Sequence, residues 1–387
     1  MPSAHPVATL GQVFWPGVRA PAAALLRTPA AIWTLNARGA LYRVFSHLRD
    51  GSGRDEVLVP AFHCPSVVAP LLAAGLRPVF YGITRDLAVD WDDLLGQRSP
   101  QTRAVLVIHY FGQATDLGRA EALRRDGVAV VEDWSHSFLR ADSPKFPGAT
   151  HNHRVYSLWK LLPTQVGGAW LPPEGAGVDA RLPAPALRRQ VVLVKRLLEE
   201  SVEQHGPAAL ARGVQRLDRW RAARQPKADA AKPPVPAVDL RRAGEAVYPF
   251  SPANDGVRMP WWVKRMVAGS DLATVSATRL RHHARYAEAL REHPLVRPWR
   301  TTAPHAVPWV FPVFVEGRDL HDRGWRASGV PLHTFGIYLH SAFFRSAAAR
   351  VVEDALYLAD RLLCLAVHQD LDDADVAHAC DVLRKAT

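Results

Sequence analysis

Two short segments put reactive side chains at spacings that suggest chemistry. Val128–Ser137 reads VAVVEDWSHS, which sets Glu132 and Asp133 at the end of a continuously apolar run. A carboxylate there must be paired or hydrogen-bonded, because a buried charge without a partner is costly or shifts its pKa upward. The second segment, Tyr156–Trp170, reads YSLWKLLPTQVGGAW. Lys160 is flanked there by apolar residues, which depress an amine pKa and make the amine a nucleophile toward a carbonyl. Ser157, three positions earlier, can donate its hydroxyl to a phosphate. Each segment also has an ordinary reading: an ion pair or cap for the acidic pair, and a lysine snorkelling from a strand edge. Taken together they suit one cofactor, pyridoxal 5'-phosphate (PLP). It needs a carboxylate to hold its ring nitrogen protonated and a lysine to attach it covalently.

The elements that must position these groups alternate along the chain. Leu41–Leu48, Ser66–Ala74 and Leu117–Arg125 have helical character. Between them stand short apolar runs at Glu56–Pro60, Arg77–Tyr81, Ala104–His109 and Val128–Glu132. This order predicts a parallel sheet covered on both faces. In such sheets ligands bind at the carboxyl ends of the strands, which singles out Phe62, His63, His109, Asp133 and His136. Further on, helical spacing is read over Leu187–Arg224, then an exposed linker at Gln225–Pro236 (QPKADAAKPPVP). Thr274–His293, Ala347–Leu363 and Asp372–Lys385 are read as helices and Trp309–Val315 as a strand. The expected architecture is a large α/β domain with a mostly parallel sheet, followed by a smaller α+β C-terminal domain.

The 387 residues are enough to bury a large core, and 48% hydrophobic with 22% charged residues is ordinary globular composition. No apolar stretch is long enough for a membrane helix. Met1–Ala31, interrupted by Pro2, Pro6, Pro16, Pro21 and Pro29, does not read as a signal peptide. Cys64, Cys364 and Cys380 are too scattered for a disulfide framework or a zinc site, so the cytoplasm is the expected compartment and no metal is expected. The net charge of +11 is regional: residues 181–242 hold 14 Lys and Arg against six Asp and Glu. A solvated helix face explains such a run, and a phosphorylated ligand or an anionic surface would also welcome it. No nucleic-acid-binding signature accompanies it.

The motifs, in their order, resemble the DegT/DnrJ/EryC1/StrS aminotransferases from about Asn36 to the C-terminus. Asn36–Leu41 (NARGAL) resembles the family's turn whose backbone amides hold the PLP phosphate, which implicates Ala37, Arg38 and Gly39. Asp55–Gly75 matches the strand, proline and helix that follow it, bringing in His63 and Cys64; His109–Gly112 (HYFG) matches the family's His-x-x-Gly. The resemblance implies that Asp133 pairs the pyridine nitrogen and His136 bonds the phenolic oxygen. It further makes Ser157 a phosphate ligand and Lys160 the cofactor-bearing lysine. Leu363–Leu371 resembles the small domain's Leu-Pro-x-His element.

The implied fold is the aspartate-aminotransferase-like fold type I. Its expected division is an N-terminal arm (1–35), a large PLP-binding domain (36–270) and a small domain (271–387). The implied activity is transfer of an amino group, from L-glutamate, to a keto group on a nucleotide-linked sugar, by a homodimer. The alternatives are other PLP chemistry on the same fold, such as sugar dehydration or action on an amino acid, or a non-catalytic basic protein. Where the family often stacks an aromatic ring on PLP the chain has Cys64, leaving His63 or Phe62 as substitutes. Asn254–Met259 (NDGVRM) stands for the family's Asn-Tyr-Arg-Met segment, so Asn254, with His333, Tyr338 and His340, is a candidate for substrate contact. His282 and His283 are read as surface or dimer residues. Trp261, Trp262 and Trp309 are read as core or interface aromatics rather than a ligand cage.

Overall fold

The computed structural model describes residues 2–140, 151–207, 209–214, 216, 244, 248–300 and 306–385. Seven strands form the main sheet: β1 (Ile32–Thr34), β2 (Glu56–Pro60), β3 (Arg77–Tyr81), β4 (Thr102–Ile108), β5 (Ala129–Trp134), β6 (His153–Ser157) and β7 (Gly168–Leu171). Their spatial order is β1-β7-β6-β5-β4-β2-β3. β3, β2, β4, β5 and β6 are parallel; β7 returns antiparallel to β6, and β1 pairs antiparallel with β7. The four parallel runs read from the sequence are β2 to β5. Their Val, Leu and Ile side chains are buried, half-buried Val79 on edge strand β3 excepted, because helices cover both faces. β1, β6 and β7 escaped the sequence reading, being short and lacking a long apolar run.

Helices α1 (Leu10–Phe14) and α2 (Ala20–Leu25) precede the sheet. Helices α3 (Ala37–Leu48), α4 (Pro65–Ala73), α5 (Trp91–Gly96) and α6 (Ala120–Arg125) alternate with its strands. α3 starts where Asn36 Oδ1 accepts the Gly39 N–H at 2.8 Å, an N-cap that leaves the amides before Gly39 to another partner. α7 (Leu187–His205) stops at Gly206-Pro207, so the helical spacing read to Arg224 is broken there. A Cβ at Gly206 would lie 2.5 Å from the Val202 carbonyl oxygen. The linker Gln225–Pro236 lies outside the described residues.

The C-terminal part builds an antiparallel sheet from β8 (Val296–Pro298), β9 (Val310–Val315), β10 (Leu332–His333) and β11 (Leu362–Ala366), ordered β10-β11-β9-β8. Its own apolar cluster includes Tyr286, Leu290, Phe311, Trp325, Leu363, Leu365 and Leu383. The helix read as Ala347–Leu363 ends at Arg361, and Leu362 and Leu363 open β11 instead. His282 and His283 are not surface residues. Both are buried on the helix Leu272–Ala289, His282 against the Val367 carbonyl and His283 edge-on to Phe311. No helix among the described residues is long and apolar enough to cross a membrane.

Candidate active site

The strand register brings the two chemical segments side by side. Trp134 pairs with Tyr156 across β5 and β6, so Asp133 and Ser157 stand at the carboxyl ends of neighbouring strands. Ser157 in turn pairs with Gly168 on β7. A Cβ on Gly168 would come within 2.3 Å of the Asn36 carbonyl carbon and 2.6 Å of the Ala37 nitrogen. Only glycine therefore lets β7 pass this close to the start of α3, and that approach sets Ser157 beside the helix N-terminus.

A cavity of about 740 Å³ opens over these strand ends. It is lined by Asn36, Ala37, Arg38, Cys64, Asp133, His136, Ser157 and Lys160. Asn254, His333 and Tyr338 also reach it. Ten of the residues expected from sequence therefore share one site: Lys160, Asp133, His136, Ser157, Ala37, Arg38, Cys64, Asn254, His333 and Tyr338.

Four others do not line it. Gly39 spends its N–H on Asn36 and packs under Asp255, whose carbonyl oxygen would be 2.1 Å from an added Cβ. His63 is buried; its Nδ1 lies 2.9 Å from the Ala61 carbonyl, it stacks on Phe80, and its Nε2 accepts the His340 N–H at 3.2 Å. His340 is occupied as the N-cap of the helix Ser341–Ser346. His109 stacks on Trp134 at 3.7 Å and faces away, toward Glu132. Phe62, the other aromatic substitute for Cys64, packs instead on Tyr110 and Phe335.

The acidic pair splits because successive strand residues point to opposite faces. Glu132 turns away from the cavity into a saturated network. One carboxylate oxygen faces His109 at 3.0 Å and Trp134 at 2.9 Å, and the other Asn152 at 2.9 Å and Arg154 at 3.1 Å. The His109 Nδ1 accepts the Thr115 N–H, so its Nε2 carries the proton given to Glu132. Burial alone would raise the Glu132 pKa, but these donors and charges pull it down to about 2. Asp133 faces the cavity with one oxygen accepting the Ser135 N–H at 2.7 Å. Glu132 therefore holds the structure, while Asp133 remains available to a ligand.

His136 has a defined tautomer. Phe111, in a left-handed conformation (φ 53°), aims its N–H at the His136 Nδ1, 3.1 Å away. Such a backbone costs a non-glycine residue about 1–2 kcal/mol. Burial, with Lys160 and His333 nearby, holds the His136 pKa well below its usual value. The neutral ring therefore carries its proton on Nε2, a donor. His333 is neutral for the same reason, burial pushing its pKa to about 3.

Lys160 follows β6 in a turn, with Nζ 4.0 Å from the centre of the Trp309 ring. Burial lowers its pKa from 10.5 to about 8, and Asp133 limits the fall. Arg279, fully buried, ties this turn to the strand that delivers Trp309. Its guanidinium donates to the carbonyls of Lys160, Leu161, Pro308 and Trp309 and to the Gln369 side chain. Trp309 belongs to the large apolar core, as expected, and is also a wall of the site. The sequence reading also missed His5 and Pro6 of the N-terminal segment and Arg189 and Arg196 of α7, all of which line the cavity. The stretch of strong positive charge was the only signal for the arginines.

The chain's own atoms fit PLP. Ser157 is buried, yet its Oγ has no hydrogen-bond partner among the described residues, beside a helix N-terminus that attracts anions. A carboxylate, a neutral imidazole N–H and a depressed lysine complete what a phosphorylated pyridine aldehyde requires.

Residues 20–171, the span holding the α3 turn, Asp133, Ser157 and Lys160, match the model of the DegT/DnrJ/EryC1/StrS aminotransferase family. The fold is that of the fold-type-I PLP-dependent aminotransferases, and the site is similar to theirs. More particularly, the chain is similar over most of its length, at low identity, to solved structures of sugar aminotransferases. AtS13 from Actinomadura melliaura is 21% identical, with TM-score 0.66 over 100% of this chain and 99% of that one. The sugar aminotransferase CalS13 from Micromonospora echinospora is 19% identical, with TM-score 0.64 over 100% of both chains. DesV from S. venezuelae is 19% identical, with TM-score 0.63 over 95% of this chain and 87% of that one.

Proposed function

We propose that the protein transfers an amino group from L-glutamate to the keto group of a nucleotide-linked sugar. The observation that carries this reading is the placement of Lys160 Nζ, with its depressed pKa, in one cavity with Asp133, His136 and the unpartnered Ser157 hydroxyl. Ser157, with the amides opening α3 near Ala37 and Arg38, would hold the phosphate. Asp133 would keep the ring nitrogen protonated, and the His136 Nε2–H would donate to the phenolic oxygen. When bound, PLP supplies the electron sink that stabilises negative charge at the substrate carbon. Lys160 is the base that removes and returns the proton at that carbon, a task suited to an amine with pKa near the working pH. Trp309 and Phe335, which line that side of the cavity, would exclude water from it. Asn254, His333 and Tyr338, which line the same cavity, would contact the substrate.

The same reading makes the protein a cytoplasmic homodimer with an N-terminal arm (1–35), a large domain (36–270) and a small domain (271–387). Three free thiols suit a reducing compartment. Exposed Leu187, Val191 and Val192 on α7 offer apolar surface to a second copy, and the separate C-terminal apolar cluster supports the small domain.

The test is an absorbance spectrum with PLP for the wild type and Lys160→Ala, followed by 2-oxoglutarate release from glutamate with keto-sugar nucleotides as acceptors. A cofactor band absent in the variant, bleached by glutamate and restored by a keto sugar, is the expected result. A band that glutamate leaves unchanged rules out this donor. Bleaching without reaction of any keto-sugar nucleotide moves the acceptor to another class.

A further inference from the structure

α7 carries a stripe of residues for which neither the cofactor nor the proton transfers have a use. Arg189, Leu193, Arg196 and Glu200 are spaced at i, i+4, i+7 and i+11, so they share one helix face, and all four line the cavity. The helix is fixed to the body behind them: Leu197 packs with Ala8 and Met266, and His205 Nε2 lies 2.9 Å from the Val7 carbonyl. This face is therefore held over the cavity.

The charges on it are incompletely matched. Buried Asp255 presents one oxygen to both Arg189 at 3.1 Å and Arg38 at 3.5 Å. The Arg189 Nε is buried without a hydrogen-bond partner among the described residues. Arg196 is exposed and has no carboxylate within ion-pair distance among the described residues. Glu200 is engaged by the Gln165 amide at 2.6 Å. Two guanidiniums, one with an unused N–H and one with no counter-ion, thus face the same space.

We infer that Arg189 and Arg196 form a second anion subsite, distinct from the Ser157 cradle, that takes the diphosphate of the acceptor substrate. The inference rests on the aminotransferase reading above and adds which side chains recognise the nucleotide end. Their attachment points lie two helical turns, about 10 Å, apart, a span that lets both side chains converge on one extended anion. Arginine suits the task because its planar donors grip phosphate oxygens in pairs. Position also separates the two substrates. Glutamate is short, and its carboxylates stay near the amine that must reach Lys160. A sugar diphosphate projects a hexose length farther out, toward exposed Arg196.

The experiment uses PLP-loaded protein, so that the Ser157 cradle is filled. Binding of inorganic pyrophosphate and of UDP is measured by calorimetry for wild type, Arg196→Gln, Arg189→Gln and Arg188→Gln. Arg188 is exposed on α7 and does not line the cavity. Loss of a charge-assisted bond predicts about tenfold or greater weakening for Arg196→Gln and Arg189→Gln, with a shallower salt dependence. The Arg188→Gln variant should bind as the wild type does, and the cofactor band should be unchanged in Arg196→Gln. Equal binding by wild type and Arg196→Gln overturns the subsite, as does a wild type that aminates a keto sugar yet binds neither probe. Arginine-dependent pyrophosphate binding without amination of any keto-sugar nucleotide would keep the subsite and remove the proposed function instead.

Discussion

Lys160 gives the sharpest quantitative prediction, because its behaviour can be measured without cofactor or substrate. An ordinary lysine with pKa 10.5 is neutral in only about one molecule per thousand at pH 7.5; with the value of about 8 set by burial, about a quarter are neutral. That is a gain of about 200-fold in reactive amine, with no change in the amine itself. The sign is fixed by the cause: desolvation disfavours the ammonium, so the group is protonated below about pH 8 and neutral above it. Asp133 works in the opposite direction, stabilising the ammonium. Asp133→Asn should therefore lower the midpoint further in the cofactor-free protein, whereas removing a general acid or base elsewhere should not. The assay is reductive methylation of the cofactor-free protein with isotope-labelled formaldehyde, followed by an NMR titration of the labelled Lys160 amine. A midpoint near 8 that falls in Asp133→Asn is expected. A midpoint near 10.5 in the folded protein would show that the cavity is wet, and the argument from burial would fail.

The other predictions concern the groups around the lysine. Ser157→Ala should leave folding stability within about 1 kcal/mol, since it removes a buried hydroxyl that has no partner. It should weaken PLP affinity about tenfold or more, and equilibrium dialysis together with a denaturant melt checks both halves. Glu132→Gln should cost about 3–5 kcal/mol in the same melt, because it breaks a saturated buried charge network. In the wild type, the folded-state pKa of about 2 lies below the ordinary carboxylate value of 4.5. The Glu132 contribution is thus complete above pH 4.5 and is lost as the pH falls toward 2. An acid-unfolding midpoint unchanged by Glu132→Gln would contradict it.

How much was legible in advance divides along a physical line. Contiguous sequence determined the four parallel strands β2 to β5, through apolar runs that only a doubly covered sheet can bury, and it singled out Lys160, Asp133, Ser157 and His136 as candidates that the fold brings into one cavity. These depend on neighbours a few positions away and on residue type. Which carboxylate of Glu132 and Asp133 faces the cavity depended on strand register, since adjacent residues face opposite sides. The demotion of His63, His109 and His340 likewise required their hydrogen-bond partners, which come from other strands and loops. Trp309 and Arg279 were invisible as site residues because they lie more than a hundred positions from Lys160 and meet it only when the small sheet packs against the large one. The arginines of α7 showed the same limit in reverse. Their charge was evident in the sequence, but a charged helix face looks identical whether it meets water or a cavity, and only the packing of Leu197, Ala8 and Met266 decided which.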